Sequence, residues 1–122
     1  MLPKLVYPYG RPPNGSSVLW RCEAQRYSVC IDPDADRYGV TDPQLEMRWH
    51  RIISRTPKGA WISGRFVLLT ATKRWACPTE EEALESFIAR KRKQISILSH
   101  KLHRAEQDLA LAFPHMHVLR LA

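Results

Sequence analysis

Apolar positions along this chain follow two rhythms, and Pro78 marks the boundary between them. After it, Leu84, Ile88, Lys91, Ile95, Leu98, Leu102, Ala105, Leu109 and Ala112 recur at alternating steps of four and three. That spacing lays a seam down one face of an α-helix, with Phe87 beside it and Lys91 its one interruption. Thr79 and Glu82 have capping-box spacing, and Glu80, Glu81 and Glu82 fill the first turn, where the helix dipole favours carboxylates. The pattern predicts a single helix over 79–113, closed by Pro114. At about 1.5 Å per residue such a helix is roughly 50 Å long, against a radius of gyration near 13–14 Å for a domain of this size.

Before Pro78 the rhythm is that of strands. Val18 to Ile31 is rich in β-formers, with a turn expected near Glu23–Arg26 to divide it. Met47–Arg55 alternates, with Met47, Trp49, Arg51, Ile53 and Arg55 on one side. Thr56-Pro57-Lys58-Gly59 is hairpin chemistry, in which Gly59 is suited to the left-handed position. Ala60–Thr70 resumes as a strand interrupted by Ser63-Gly64, which reads as either a bulge or a tight turn. Residues 1–17 hold four prolines and two glycines and read as a linker-like N-terminal segment that Tyr7 and Tyr9 are able to anchor. The expected organisation is an N-terminal segment 1–17, one α+β domain over 18–113 (strands 18–77, helix 79–113) and a tail 114–122. The fold class is α+β, a small antiparallel sheet of roughly four to five strands packed on one long C-terminal helix.

Charge changes this picture more than composition does. The 122 residues carry a formal net charge of +7, and their apolar and charged fractions of 44% and 25% are those of a globular chain. No apolar run reaches the roughly 18 residues of a membrane span. The first residues show neither the apolar core nor the cleavage site of a secretory signal, so an intracellular protein is expected. Over 79–113 six basic residues balance six acidic ones, whereas residues 47–78 hold seven basic residues and no acidic one. Trp49, Trp61, Phe66 and Trp75 are interleaved with those cations, and Arg90, Lys91, Arg92 and Lys93 form a second basic cluster on the helix. Segregated positive charge with aromatics between is the pattern of a surface that meets phosphates or a partner's carboxylates. The candidate contact residues are Arg48, Arg51, Arg55, Lys58, Lys73, Arg74, Arg90, Lys91, Arg92 and Lys93. Aromatics in a core, with the cations merely solubilising the opposite face, would explain the alternation well but the missing carboxylates less well.

The remaining chemistry is sparse. Cys22, Cys30 and Cys77 lack the spacing of a zinc site, and reduced thiols acting as small hydrophobes are expected. His100 with His103, and His115 with His117, are pairs without a third ligand, so no metal is assigned. The loop Asp32-Pro33-Asp34-Ala35-Asp36 superficially resembles a calcium loop. Arg37 and Pro43 stand where an EF-hand needs glycine and a bidentate glutamate, so a solvated turn is expected. There is no phosphate loop, nucleophile elbow or zincin motif, and Cys30 with His50 is a pair any such composition offers. No enzyme and no cofactor are predicted.

The run Thr56-Pro57-Lys58-Gly59-Ala60-Trp61-Ile62, then Arg65-Phe66-Val67, then Lys73 to Phe87, closing with Arg90-Lys91 and Gln94-Ile95, resembles a family of small uncharacterised tailed-phage proteins. The resemblance covers roughly residues 18–110 and transfers no site residue. It implies an accessory protein in the cytoplasm of an infected bacterial host. Proteins of that kind often act by binding, including by blocking defence assemblies such as CRISPR effectors.

The functional expectation is therefore a non-enzymatic binding protein that inhibits a host protein or nucleoprotein complex through its basic surface. The alternative is direct DNA or RNA binding by residues 47–76 and the 90–93 cluster. A seam of Ile95, Leu98, Leu102, Ala105 and Leu109 extends beyond what a small sheet covers. It implies either a homodimer through the long helix or a tail, Met116 to Leu119, folded back over it.

Overall fold

The computed structural model describes residues 5–121, apart from the side chain of Tyr38. Its strands are β1 (Leu5–Val6), β2 (Val18–Gln25), β3 (Ser28–Asp32), β4 (Arg37–Val40), β5 (Gln44–Arg51), β6 (Ser54–Arg55), β7 (Gly59–Ile62) and β8 (Arg65–Leu68). One helix, α1, spans Glu80–Leu121. The class is α+β, as expected, but the strands divide among three small sheets, ordered β1-β5-β2, β3-β4 and β6-β7-β8, in place of one. The chain forms two compact units, Met1–Phe87 and Ile88–Ala122, so the boundary falls inside the helix and not at its ends.

In the first unit β2 and β5 pair antiparallel along their whole length, from Val18 opposite Arg51 to Gln25 opposite Gln44. Opposed residues share a face, which gives the sheet two distinct sides. Trp20, Cys22, Met47 and Leu45 lie on one. They pack with Leu5, Cys77 and the first helical turns through Ala83, Leu84 and Phe87. Leu19, Arg21, Glu23, Glu46, Arg48 and His50 lie on the other. There Leu19 joins Ala60, Ile62, Val67 and Ala76, with Ile52, Leu69 and Trp75 around them. The central sheet is thus covered on both sides, each fully buried large side chain contributing about 1.5–3 kcal/mol.

The N-terminal segment is part of this unit and not a linker. β1 pairs parallel with β5, Leu5 opposite Leu45. Tyr7 meets Trp20 edge-on at 6.2 Å, and Tyr9 meets Trp49 at 6.1 Å. The expected break near Glu23–Arg26 separates β2 from β3. The aspartate loop is a turn in which the Asp34 N–H donates to Asp32 Oδ1 at 3.1 Å, as solvated-turn chemistry requires.

Two glycines explain the third sheet. Gly64, at φ +70°, closes a tight turn between β7 and β8, with Ile62 opposite Arg65, so Ser63-Gly64 is a turn and not a bulge. Gly59 does not take the left-handed position expected of it. A Cβ there would lie 2.1 Å from the Val67 carbonyl oxygen and 2.9 Å from Phe66 Cζ, so glycine is required by close approach across the strands.

The helix starts as the sequence implies and stops elsewhere. The Glu82 N–H donates to Thr79 Oγ1 at 3.2 Å, which is half of the capping box. The Glu82 carboxylate turns away from the cap and pairs with Arg74, also at 3.2 Å. Pro114 lies inside the helix, so residues 114–121 are helical and form neither a tail nor a fold-back over the seam. Proline has no N–H to offer the Ala110 carbonyl, a loss of one bond that the longer helix tolerates.

Candidate functional site

Cross-strand pairing places like charges side by side on one face of the central sheet: Arg21 opposite Arg48, and Glu23 opposite Glu46. Neighbouring carboxylates resolve the conflict. Arg21 pairs with Glu23 at 2.5 Å and Arg48 with Glu46 at 2.7 Å. Glu46 is 1% exposed. It accepts hydrogen bonds from the Tyr27 hydroxyl, from Gln44 Nε2 at 3.0 Å and from Arg48 Nε at 3.2 Å and Nη2 at 2.7 Å. The Tyr27 hydrogen bond, reinforced by Arg48 and Gln44, outweighs desolvation and holds this carboxyl below its ordinary range. The same bond raises the Tyr27 hydroxyl.

Beyond this pair of strands, Arg21 and Arg65 each place a guanidinium 4.4 Å from the centre of the Trp75 ring. Arg21 Nη1 also donates to the Trp75 carbonyl at 2.6 Å. His50 lies 5.2 Å from the same ring, ring centre to ring centre. Burial, and then the charges of Arg21 and Arg48, depress its pKa, so the imidazole is held neutral. These contacts give Trp75 and its cations a packing role. Neither Arg21 nor Arg65 is among the residues that sequence reasoning selected. Their shared partner, Trp75, is distant in sequence from Arg21, and no local pattern signals it.

The sequence-selected cations therefore divide. Arg48 is neutralised by Glu46. Arg74 is held by Glu82, while its carbonyl accepts from Ser86 Oγ at 3.3 Å. Arg51, at the end of β5, donates to Ser16 Oγ at 3.5 Å. Arg55 on edge strand β6, Lys58 in the hairpin turn and Lys73 before the helix are exposed. Among the described residues, no ion pair involves Arg51, Arg55, Lys58 or Lys73. Arg90, Lys91, Arg92 and Lys93 belong to the second compact unit, where Lys91 Nζ donates to Gln94 Oε1 at 3.1 Å.

The third sheet supplies what the cations flank. Its inner face carries Ala60, Ile62 and Val67, all buried. Its outer face carries Trp61 and Phe66, opposite one another in the register and 47% and 37% exposed. Their rings are 5.2 Å apart and tilted by 53°. Leu68 and Ile53 are exposed too, and the Ile53 N–H donates to the Trp61 carbonyl at 2.8 Å. Here the sequence expectation of interleaved aromatics separates into two roles: Trp75 is enclosed by cations, and Trp61 with Phe66 is presented to solvent. Apart from this face, a cleft of about 440 Å³ is lined by Tyr7, Arg11, Pro12, Asn14, Trp20 and Glu80. Burial and Glu80 raise the Tyr7 hydroxyl pKa. No helix among the described residues is long and apolar enough to cross a membrane. No family model, curated protein or solved structure matches the chain.

Proposed function

We propose that the protein works by binding and not by turnover, and that the contact is a single-stranded nucleic acid laid across the outer face of β6–β8. The exposed Trp61–Phe66 pair carries this reading, because it sits in a stretch of 32 residues, 47–78, without one carboxylate. Bases stack on such aromatic platforms at about 1–3 kcal/mol each, while Lys58, in the turn that leads into β7, is exposed, makes no ion pair among the described residues and is available to phosphates. Anisotropy of a labelled oligothymidylate titrated with protein tests it. Binding should weaken with salt at a slope of about −0.7 per phosphate engaged. Trp61→Ala with Phe66→Ala should lower affinity about tenfold or more. Absence of binding at low salt, or binding indifferent to both substitutions, overturns the proposal.

A second reading is supported by the extent of the patch. Ile53 and Leu68 widen it beyond what base stacking uses, as a docking surface for a protein would require. On that reading the chain is an accessory protein of phage type that occupies a host defence or nucleoprotein complex in the infected cytoplasm. Its partner would then be recovered from nuclease-treated lysate, and lost with the same two substitutions. In either role the exposed seam of the helix supports action as a homodimer.

A further inference from the structure

Because the helix continues through Pro114, the four-three seam gains Met116 and Leu119 and keeps its spacing from Ile88 to Leu119, with Lys91 its one charged member. Its apolar members are exposed, Leu102 at 61% and Leu119 at 69%. The seam is roughly 47 Å long. Pro114 falls on the side opposite it, where a missing N–H does not disturb packing. Ile88, Ile95, Leu102, Leu109 and Met116 take one core position of the heptad. Lys91, Leu98, Ala105, Ala112 and Leu119 take the other.

We propose that the occupant of this seam is a second copy of the same helix, running antiparallel, with Leu98 of each copy against Leu109 of the other. This rests on the homodimer proposed above and fixes its direction and register. In that register Ile88 faces Leu119, Lys91 faces Met116, Ile95 faces Ala112 and Leu102 faces Ala105. In two of the five pairings, Ile95 with Ala112 and Leu102 with Ala105, a large side chain lies opposite an alanine, and each Lys91 lies against a flexible thioether. Its ammonium already leans aside to Gln94. Of the flanking residues, Lys101 meets Asp108 of the second copy, twice by symmetry, and no like charges meet.

The competing arrangements each carry a conflict. Parallel and in register, the two Lys91 side chains share one core layer, at a desolvation cost. Shifting the antiparallel pair by one heptad sets Lys101 against Lys101. Shifting it the other way sets both Asp108 against Asp108 and Glu106 against Glu106. Charge complementarity therefore selects one register, which is how flanking positions set orientation in paired helices.

Sedimentation equilibrium of the full chain, with Cys30→Ser to remove the exposed thiol, tests this. The expected species has twice the 14.2 kDa monomer mass. Lys101→Asp should raise the dissociation constant about tenfold, since two attractions become repulsions. Adding Asp108→Lys should restore it to within a few-fold of the parent. Adding Glu106→Lys instead should not, because Glu106 meets Lys101 only in the parallel arrangement. Circular dichroism of each variant checks that the helix is intact. A monomer, or a species larger than two copies, overturns both the homodimer and its register. A dimer that Glu106→Lys rescues and Asp108→Lys does not overturns the antiparallel register alone.

Discussion

Glu46 is the residue on which the polar side of the central sheet depends. Its four hydrogen bonds come from three side chains, and without its charge Arg48 would lose its carboxylate partner while still standing opposite Arg21. Glu46→Gln is expected to cost about 1–3 kcal/mol in denaturant unfolding. Acid should act in two stages. His50 is held neutral in the folded chain, so the unfolded chain takes up a proton first, and stability begins to fall below its ordinary pKa of about 6.5. Glu46, depressed in the folded state, contributes stability above the ordinary carboxylate range and loses it as pH falls through its lower folded value. Thermal melts between pH 8 and 3 should show both stages, His50→Gln removing the first and Glu46→Gln weakening the second. None of this was legible in the sequence. Glu46 stands one residue outside the carboxylate-free stretch that drew attention, and its partner Tyr27 comes from another hairpin.

At the scale of elements, the helix and the hairpins were readable because their signals are local. Thr79, the run of glutamates and the four-three spacing need no knowledge of the rest of the chain. Ser63-Gly64 marked a break in the strand run by the same local means, but whether a bulge or a two-residue turn was decided only by the pairing of Ile62 with Arg65. Legibility failed where tertiary context overrides a local rule. Pro114 breaks most helices, and here it merely forgoes one hydrogen bond inside a long one. Leu5–Val6 sits among prolines and glycines, yet it finds a free edge on β5. Gly59 invited a turn and serves close packing. Pro114→Ala should therefore raise the helix's stability by up to about 3 kcal/mol, seen as increased helical ellipticity and a higher melting point. A drop in helicity would mean that the proline fixes a bend on which the seam depends. The candidate platform was half legible: its aromatics and cations were named, but not which aromatics face solvent, because that follows from sheet register and not from composition.

For the molecule as a whole, the packing of the first helical turns has a further consequence. Cys22 and Cys77 sit with Met47 and Ala83 beneath those turns. Reciprocal backbone bonds between Trp20 and Cys77, at 2.6 and 2.8 Å, bind the approach to the helix onto β2. Cys30, in contrast, is exposed, and no disulfide joins any of the three cysteines. The chain thus carries its own clock for opening. A thiol reagent should modify Cys30 within seconds to minutes, while Cys22 and Cys77 wait for the helix start to lift from the sheet. If that lifting is one cooperative event, the two buried thiols will be labelled at a common rate. Denaturant will accelerate that rate, and reagent concentration will not change it once labelling outpaces closure. Unequal rates would place the opening in the Trp20–Cys77 clamp alone. Mass spectrometry of quenched samples reads each cysteine separately, and so times the detachment of the helix from the sheet residue by residue.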